Sequence, residues 1–472
     1  MISDPALTSL AGIADAITSR RLSSAEVTAN LLDRIEAWQP RLNCFIAVNP
    51  EAALERARWL DAELAAGRRH GPLHGVPLAH KDLFHRAGEI STGGSAIRRE
   101  WRADATATVL ARLDEAGAIQ LGRLNMSEFA AGATGHNKWY GDCRNPWNPA
   151  YATGGSSSGS GAAVAARLTY GALGTDTGGS IRLPAAANGV LGLKPTYGRV
   201  SRHGVMPRSG TLDHAGPLAR TAEDCALLLG VIAGPDANDP TSSVVAVPDY
   251  RADLDRGIRG LRVGVFGADD PAVDPEVRSA LEASRSVLRD LGAELRPVPP
   301  IDWGRCFDLT ETIIICEAAA MHAAWMRERP WDYTDHVRRR MEPGLLLPAT
   351  SYIEALSLRD VYRTEFLGTV MTDIDVLHGP SIPIPVPTLA ETDPEAAEGD
   401  ALGIIARFSR FMRPFNLLGL PAMSVPCGFT ANGLPVAFQV VGNPFAEATL
   451  LTLAQAWQDA TDFHKRAPGL LE

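Results

Sequence analysis

The chain has 472 residues, of which 45% are hydrophobic and 21% charged, a composition typical of a globular protein with a large core. Its formal net charge of −10 argues against nucleic acid or an anionic membrane as the main partner, because phosphate binding needs basic patches. No stretch approaches the ~18 apolar residues of a membrane span, and the first residues lack a signal-peptide pattern, so we expect a cytoplasmic protein.

The first 70 residues predict helices. Ser23 and Glu26 have the spacing of a capping box, and apolar residues follow at helical intervals. We expect Pro40 to end this helix and a second one to cover about 50–66. Residues 1–70 are therefore interpreted as a helical arm on a larger body.

Helix and strand then alternate, as in a sheet covered by helices. The pattern predicts strands at 76–80, 118–122 and 260–266, helices at 106–116, 275–291 and 445–461, and a mostly helical stretch over 305–370. Residues 422–426 and 436–441 are predicted to be paired strands, because Asn432-Gly433 between them is a strong turn signal. Two glycine-rich segments, 153–161 and 173–180, are predicted to be turns that lead into helices.

The Gly/Ser run at 153–161 has three other interpretations. Such runs are usually flexible linkers, but this one lies within a domain and a helix start follows it. Gly155 to Gly159 also fits the G-x-S-x-G pattern of α/β-hydrolases, yet the proline-rich residues before it do not predict the strand that this motif requires. A phosphate-binding loop fails because no Gly-Lys-Ser/Thr follows.

Taken together, these segments resemble the amidase signature family. The resemblance rests on Gly-Gly-Ser-Ser-Ser-Gly-Ser-Gly at 154–161, Gly-Thr-Asp-Thr-Gly-Gly-Ser-Ile-Arg at 174–182, Gly-Leu-Lys-Pro-Thr at 192–196 and the lysine segment ending in Lys81-Asp82. It implies a three-layer α/β/α fold with a mixed central sheet. We expect one domain over 1–472, with a signature core at 71–235 and the rest of the sheet in 236–472. A helical segment at about 305–400 would form the pocket.

The resemblance also implies a catalytic triad without metal or cofactor. Ser180 would be the nucleophile, Ser156 the bridging serine after a cis bond from Gly155, and Lys81 the base. A lysine can act as a base only when it is neutral, and burial in apolar surroundings lowers its pKa.

The turn that carries the nucleophile is expected to bind the developing negative charge. Backbone N–H groups of Thr177, Gly178, Gly179 and Ser180 itself would form the oxyanion hole. We interpret Asp176 and Arg182, which flank this turn, as a structural ion pair.

The other reactive residue types predict no additional site. Three histidines lack a spacing that would support a Ser–His–Asp site: His136, His203 and His214. The six scattered cysteines form no C-x-x-C pair and have no zinc spacing, so we expect reduced thiols and no bound metal.

The predicted function is hydrolysis of a C–N bond in a small amide, anilide or carbamate. Two alternatives stay open: a glutamine-hydrolysing subunit of a tRNA-dependent amidotransferase, which would need a partner protein, and a non-catalytic binding protein with the same fold. A small-molecule substrate is expected, with neither nucleic acid nor membrane as a partner, and a homodimer is compatible with the sequence.

Overall fold

A computed structural model describes residues 4–267, 269–396 and 399–469. Eleven strands in this part of the chain form one mixed sheet, in the order β1-β3-β2-β4-β6-β5-β10-β11-β9-β7-β8. The strands are β1 (Phe45–Val48), β2 (Pro77–Lys81), β3 (Ile119–Leu124), β4 (Gly171–Asp176), β5 (Leu191–Lys194), β6 (His214–Ala219), β7 (Arg262–Val265), β8 (Glu294–Pro297), β9 (Val376–Pro380), β10 (Ala422–Phe429) and β11 (Pro435–Gly442).

Helices cover this sheet, which confirms the predicted α/β class. They are α1 (Leu10–Thr18), α2 (Ser24–Leu42), α3 (Pro50–Ala65), α4 (Thr108–Glu115), α5 (Ser158–Ala165), α6 (Arg182–Asn188), α7 (Ala222–Ile232), α8 (Pro275–Asp290), α9 (Trp303–Glu328), α10 (Asp335–Met341), α11 (Ala349–Thr369), α12 (Ala401–Phe408), α13 (Pro414–Leu417) and α14 (Glu447–Ala460). None of these helices combines the length and apolarity that a membrane crossing needs.

The middle of the sheet positions the predicted site. Strand β2 is parallel to β4, with His80 opposite Leu173, so the carboxyl ends of both strands reach the same edge of the sheet. Lys81 is the last residue of β2 and Asp176 the last residue of β4. The lysine segment and the nucleophile segment therefore meet there, although 95 positions separate these two residues in the sequence.

The N-terminal arm differs from its prediction in two respects. Helix α2 begins with the expected Ser23 capping box, but it continues through Pro40 to Leu42. Pro40 lies in the last turn, so the distortion that it causes affects only the end of the helix, and Leu42, which follows it, is fully buried. The arm also contributes strand β1, which pairs antiparallel with β3, so it is part of the sheet as well as a cover.

Both glycine-rich segments were predicted to be turns throughout, and this is partly wrong for each. Helix α5 already begins at Ser158, inside the first segment, and the first half of the second segment is a strand. Residues Gly171–Asp176 form the buried strand β4, and the turn begins at Thr177. A Cβ on Gly174 would lie 2.8 Å from the Ser157 hydroxyl oxygen, so glycine lets the serine segment approach the strand.

The C-terminal half matches its predicted elements closely. Strands β10 and β11 pair antiparallel around the predicted Asn432-Gly433 turn. Most of the predicted helical stretch at 305–370 is covered by α9, α10 and α11. Of the pocket-forming segment predicted for about 305–400, residues 397–398 lie outside the described part of the chain.

Candidate active site

Lys81 is completely enclosed at the carboxyl end of β2, with only 1% of its surface exposed. Its Nζ donates hydrogen bonds to Ser156 Oγ at 2.8 Å and to Thr175 Oγ1 at 2.7 Å. Both partners are neutral hydroxyls, and no carboxylate in the described residues lies within 4 Å of the amine. A lysine held in this way has no ion pair to stabilise its charged form.

The surroundings of Lys81 favour the free amine. Burial lowers the pKa of Lys81 to about 7, although the more distant carboxylates of Asp213 and Asp176 oppose the shift. At neutral pH a large fraction of the side chain is therefore uncharged and can accept a proton. This is the electrostatic condition that a lysine base requires.

Ser156 lies between the lysine and the nucleophile segment. It is fully buried, and the Gly155–Ser156 peptide bond is cis, as the resemblance implies. The next residue, Ser157, donates its N–H to the carbonyl oxygen of Ser180 at 3.3 Å. The segments that carry the two predicted catalytic serines are thus in direct backbone contact.

Ser180 follows the turn after β4 and precedes helix α6. Its side chain is 9% exposed and lines a small cavity of about 40 Å³, together with Thr177 and Gly178. No hydrogen bond within the described residues uses its hydroxyl, so this group is available to a molecule in the cavity.

The backbone of this turn is partly committed to Asp176. The Gly179 N–H donates a hydrogen bond to Asp176 Oδ1 at 2.7 Å. In this conformation of the turn, Gly179 therefore cannot be one of the oxyanion donors, contrary to the prediction. Thr177 and Gly178, with Ser180 itself, remain candidates because none of their N–H groups has a partner among the described loop and turn hydrogen bonds. They border the same cavity as the Ser180 side chain.

The predicted ion pair between Asp176 and Arg182 is present and completely buried, with Nε 3.0 Å from Oδ2. Burial opposes ionisation of Asp176, but the Arg182 guanidinium outweighs it and holds the carboxyl pKa well below its usual range. Asn416 donates a further hydrogen bond to the same carboxylate at 2.8 Å. This network anchors the turn to helix α13, and Arg182 is occupied by it.

Comparisons with known proteins point to one family. The model of the Amidase family matches residues 26–451. The chain belongs to the amidase signature family. It is 42% identical to the A subunit of the glutamyl-tRNA(Gln) amidotransferase from Halorhodospira halophila, over 97% of this chain and 98% of that protein.

Solved structures of this family are also similar to the chain. A chain from an inhibitor-bound vestigial protein complex, described as revealing the evolutionary origins of an s-triazine catabolic enzyme, has 34% identity and a TM-score of 0.88. The alignment covers 96% of this chain and 98% of that one. A bacterial aryl acylamidase of the amidase signature family has 28% identity and a TM-score of 0.87, over 97% and 96% of the two chains.

Two contacts of this amidase signature site were not predicted from the sequence. Thr175 accepts a hydrogen bond from Lys81, and Asp213 accepts one from the Thr177 hydroxyl at 2.5 Å. Asp213 begins the Asp-His-Ala-Gly segment that leads into β6, far from the glycine-rich turns in sequence. Its position next to the turn follows from the pairing of Asp176 with His214 across β4 and β6.

Two of the three histidines singled out in the sequence, His214 and His136, have structural partners. His214 is buried, and its Nδ1 lies 2.7 Å from the carbonyl oxygen of Leu212. His136 contacts Asp142 at 3.2 Å. Within the described ranges, no His, Cys, Asp and Glu side chains form a group of three or more that could hold a metal ion.

Proposed function

We propose that this chain hydrolyses the C–N bond of a small amide through an acyl-enzyme on Ser180. The observation that supports this most strongly is the buried Lys81 amine, 2.8 Å from Ser156 and with a pKa of about 7. A serine hydroxyl is a weak nucleophile until a base takes its proton, and a neutral lysine can do so. We expect the reaction to take place in the cytoplasm.

Acylation would use all three side chains. Lys81 takes the proton of Ser156, which in turn takes the proton of Ser180, while Ser180 Oγ attacks the amide carbonyl carbon. The carbonyl oxygen becomes an oxyanion that Thr177 and Gly178 N–H groups can stabilise. Each such donor contributes roughly 2.7–4 kcal/mol to lowering the barrier.

Collapse of the tetrahedral intermediate breaks the C–N bond. The proton held by Lys81 passes back through Ser156 to the leaving nitrogen, so that ammonia or an amine departs instead of its anion. Water then attacks the acyl-enzyme, with the same relay removing its proton, and releases a carboxylic acid and free Ser180.

A second candidate function is that of a glutamine-hydrolysing subunit in a tRNA-dependent amidotransferase, working with partner proteins. The 42% identity to a subunit of that name supports it more strongly than the 28% identity to the aryl acylamidase supports a stand-alone amidase. Both candidates use the same triad and acyl-enzyme, and they differ in substrate and in dependence on a partner.

The test is a hydrolysis assay of the purified chain on aryl amides, aliphatic amides, carbamates and glutamine. A stand-alone amidase should turn over one of the simple amides without any other protein. Glutaminase activity that emerges only when a second protein is added would instead establish the amidotransferase function. Absence of any acyl transfer, with Ser180 unreactive, would contradict both.

A further inference from the structure

The cavity beside Ser180 is surrounded by three arginines. Arg208, Arg340 and Arg413 line it, while its other lining residues are small or apolar apart from Thr177, Ser180 and Ser409. No aspartate or glutamate of the described chain lines this cavity. Its charged groups therefore all have the same sign.

Each arginine is held in place by protein contacts. Arg208 is buried and donates to the carbonyl oxygen of Ala130, and Arg340 donates to that of Ala131 at 2.8 Å. Arg413 packs against the turn that carries Ser180. A Cβ added to Gly178 in this turn would lie 3.3 Å from the Cγ atom of Arg413.

Within the described residues, one carboxylate lies within 4.0 Å of these guanidiniums. Glu311 is 2.5 Å from Arg413 Nη1 and 4.0 Å from Arg340 Nη2. Burial alone would raise the pKa of Glu311, but the three guanidiniums outweigh it and lower this pKa. The three guanidiniums near the reacting carbonyl thus carry more positive charge than the single Glu311 carboxylate neutralises. Burial, and to a smaller extent the charge of Arg340, lower the pKa of Arg208 to about 9.

We propose that the site selects amides whose acyl part ends in a carboxylate, that is, ω-monoamides of short dicarboxylic acids. This rests on the proposed function, because it places the amide at Ser180 and the carboxylate on the guanidiniums. Ser180 and the three arginines line the same small cavity, so the chain between the amide and the carboxylate must be short. The cavity lining offers no carboxylate to a substrate ammonium group, and the guanidiniums repel it. Glutamine is therefore a poorer substrate than glutaramate, which lacks the ammonium group.

Three amides of equal chain length test this selection: glutaramate with a carboxylate, glutaramide without charge, and glutamine with both a carboxylate and an ammonium. We expect kcat/KM for glutaramate to exceed each of the others by about tenfold or more, since charge-assisted hydrogen bonds are strong and specific. Equal values for glutaramate and glutaramide, or faster hydrolysis of glutamine, would overturn the proposal.

Helix α10 provides a matched pair of variants. Arg340 lines the cavity, whereas the side chain of its neighbour Arg339 is 73% exposed. Arg340→Met should lower the ratio of kcat/KM for glutaramate to that for glutaramide by about tenfold to hundredfold. Arg339→Met should leave this ratio unchanged. An equal response of the two variants would contradict a specific subsite.

Binding of glutarate, the expected product, separates this inference from the proposed function. Calorimetry should show saturable binding to the wild-type protein that Arg340→Met weakens by about tenfold or more and Arg339→Met does not. Hydrolysis of neutral amides without glutarate binding would overturn the anion subsite alone. Glutarate binding by a chain that never acylates Ser180 would support the subsite and contradict the proposed hydrolysis.

Discussion

At the scale of single residues, the chemistry depends on how Lys81 is held. A buried amine with two hydroxyl partners and no ion pair within 4 Å is an unfavourable arrangement for a charged group, and the protein relieves this cost by favouring the neutral form. The same hydrogen bonds aim the nitrogen at Ser156. Position and basicity of the lysine therefore have one structural origin.

This arrangement predicts the pH dependence of the reaction. Because the base must be neutral, kcat/KM on an uncharged amide should rise with pH through about 7 and level off above it, where Lys81 has lost its proton. A pH–rate profile measures this directly. A rate that keeps increasing towards about pH 10 would mean that Lys81 keeps its ordinary pKa.

Thr175 is expected to position the lysine without taking part in the proton relay. Thr175→Val keeps the shape of the side chain but removes the acceptor 2.7 Å from Nζ, so kcat should fall roughly tenfold to hundredfold. Thr175→Ser should restore most of the rate. Steady-state kinetics of the two variants check this, and equal losses in both would show that the methyl group, and not the hydroxyl, matters.

The sequence identifies some of these residues better than others. Lys81, Ser156 and Ser180 stand in local motifs, so the family resemblance assigns them from the sequence alone. Thr175 lies in the same motif as Ser180, but the resemblance gave it no role, and a threonine in a buried strand is usually structural. Gly179 was assigned to the oxyanion hole, and only the folded turn reveals that Asp176 takes its N–H.

At the scale of elements, the connection from β4 to α6 determines where the nucleophile lies. Asp176 accepts hydrogen bonds from the N–H groups of Gly179 and Ile181 and also pairs with Arg182. Gly179 has φ +120°, and a Cβ there would lie 2.6 Å from Met412 Cβ, so only glycine fits. One carboxylate thus shapes the whole turn.

Removing this charge should destabilise the protein. Asp176→Asn leaves the fully buried Arg182 without its counter-ion, so the free energy of unfolding should fall by about 3–5 kcal/mol. Asp15→Asn, in the exposed pair with Arg21, is the control and should change it by less than about 1 kcal/mol. Urea denaturation measures both, and similar losses in the two variants would contradict the role given to Asp176.

Periodicity located most elements but misjudged several of them, and two of these errors have a clear physical cause. Glycines in 173–180 suggested a turn, whereas residues 171–176 form a strand in which Gly174 lets Ser157 approach. Pro40 suggested a helix end, whereas burial of Leu42 favours continuing the helix. In both cases a contact distant in sequence outweighs a local preference.

At the scale of the whole molecule, the sheet brings together segments from most of the chain. The order of its eleven strands could not be predicted from local patterns, because it depends on long-range pairing. The arginine cluster could not be predicted from local sequence patterns either. Its members come from positions 208, 340 and 413, and nothing in their own sequence neighbourhoods indicates that they share a cavity.

The most direct test of the central claim is covalent labelling of the nucleophile. A fluorophosphonate probe should modify Ser180, as identified by peptide mass spectrometry, and Lys81→Met should slow this labelling by about a hundredfold or more because the relay has lost its base. The exposed-arginine variant Arg339→Met is the control and should label at the wild-type rate. Modification of a different residue, or undiminished labelling of Ser180 in Lys81→Met, would contradict the Lys81–Ser156–Ser180 mechanism.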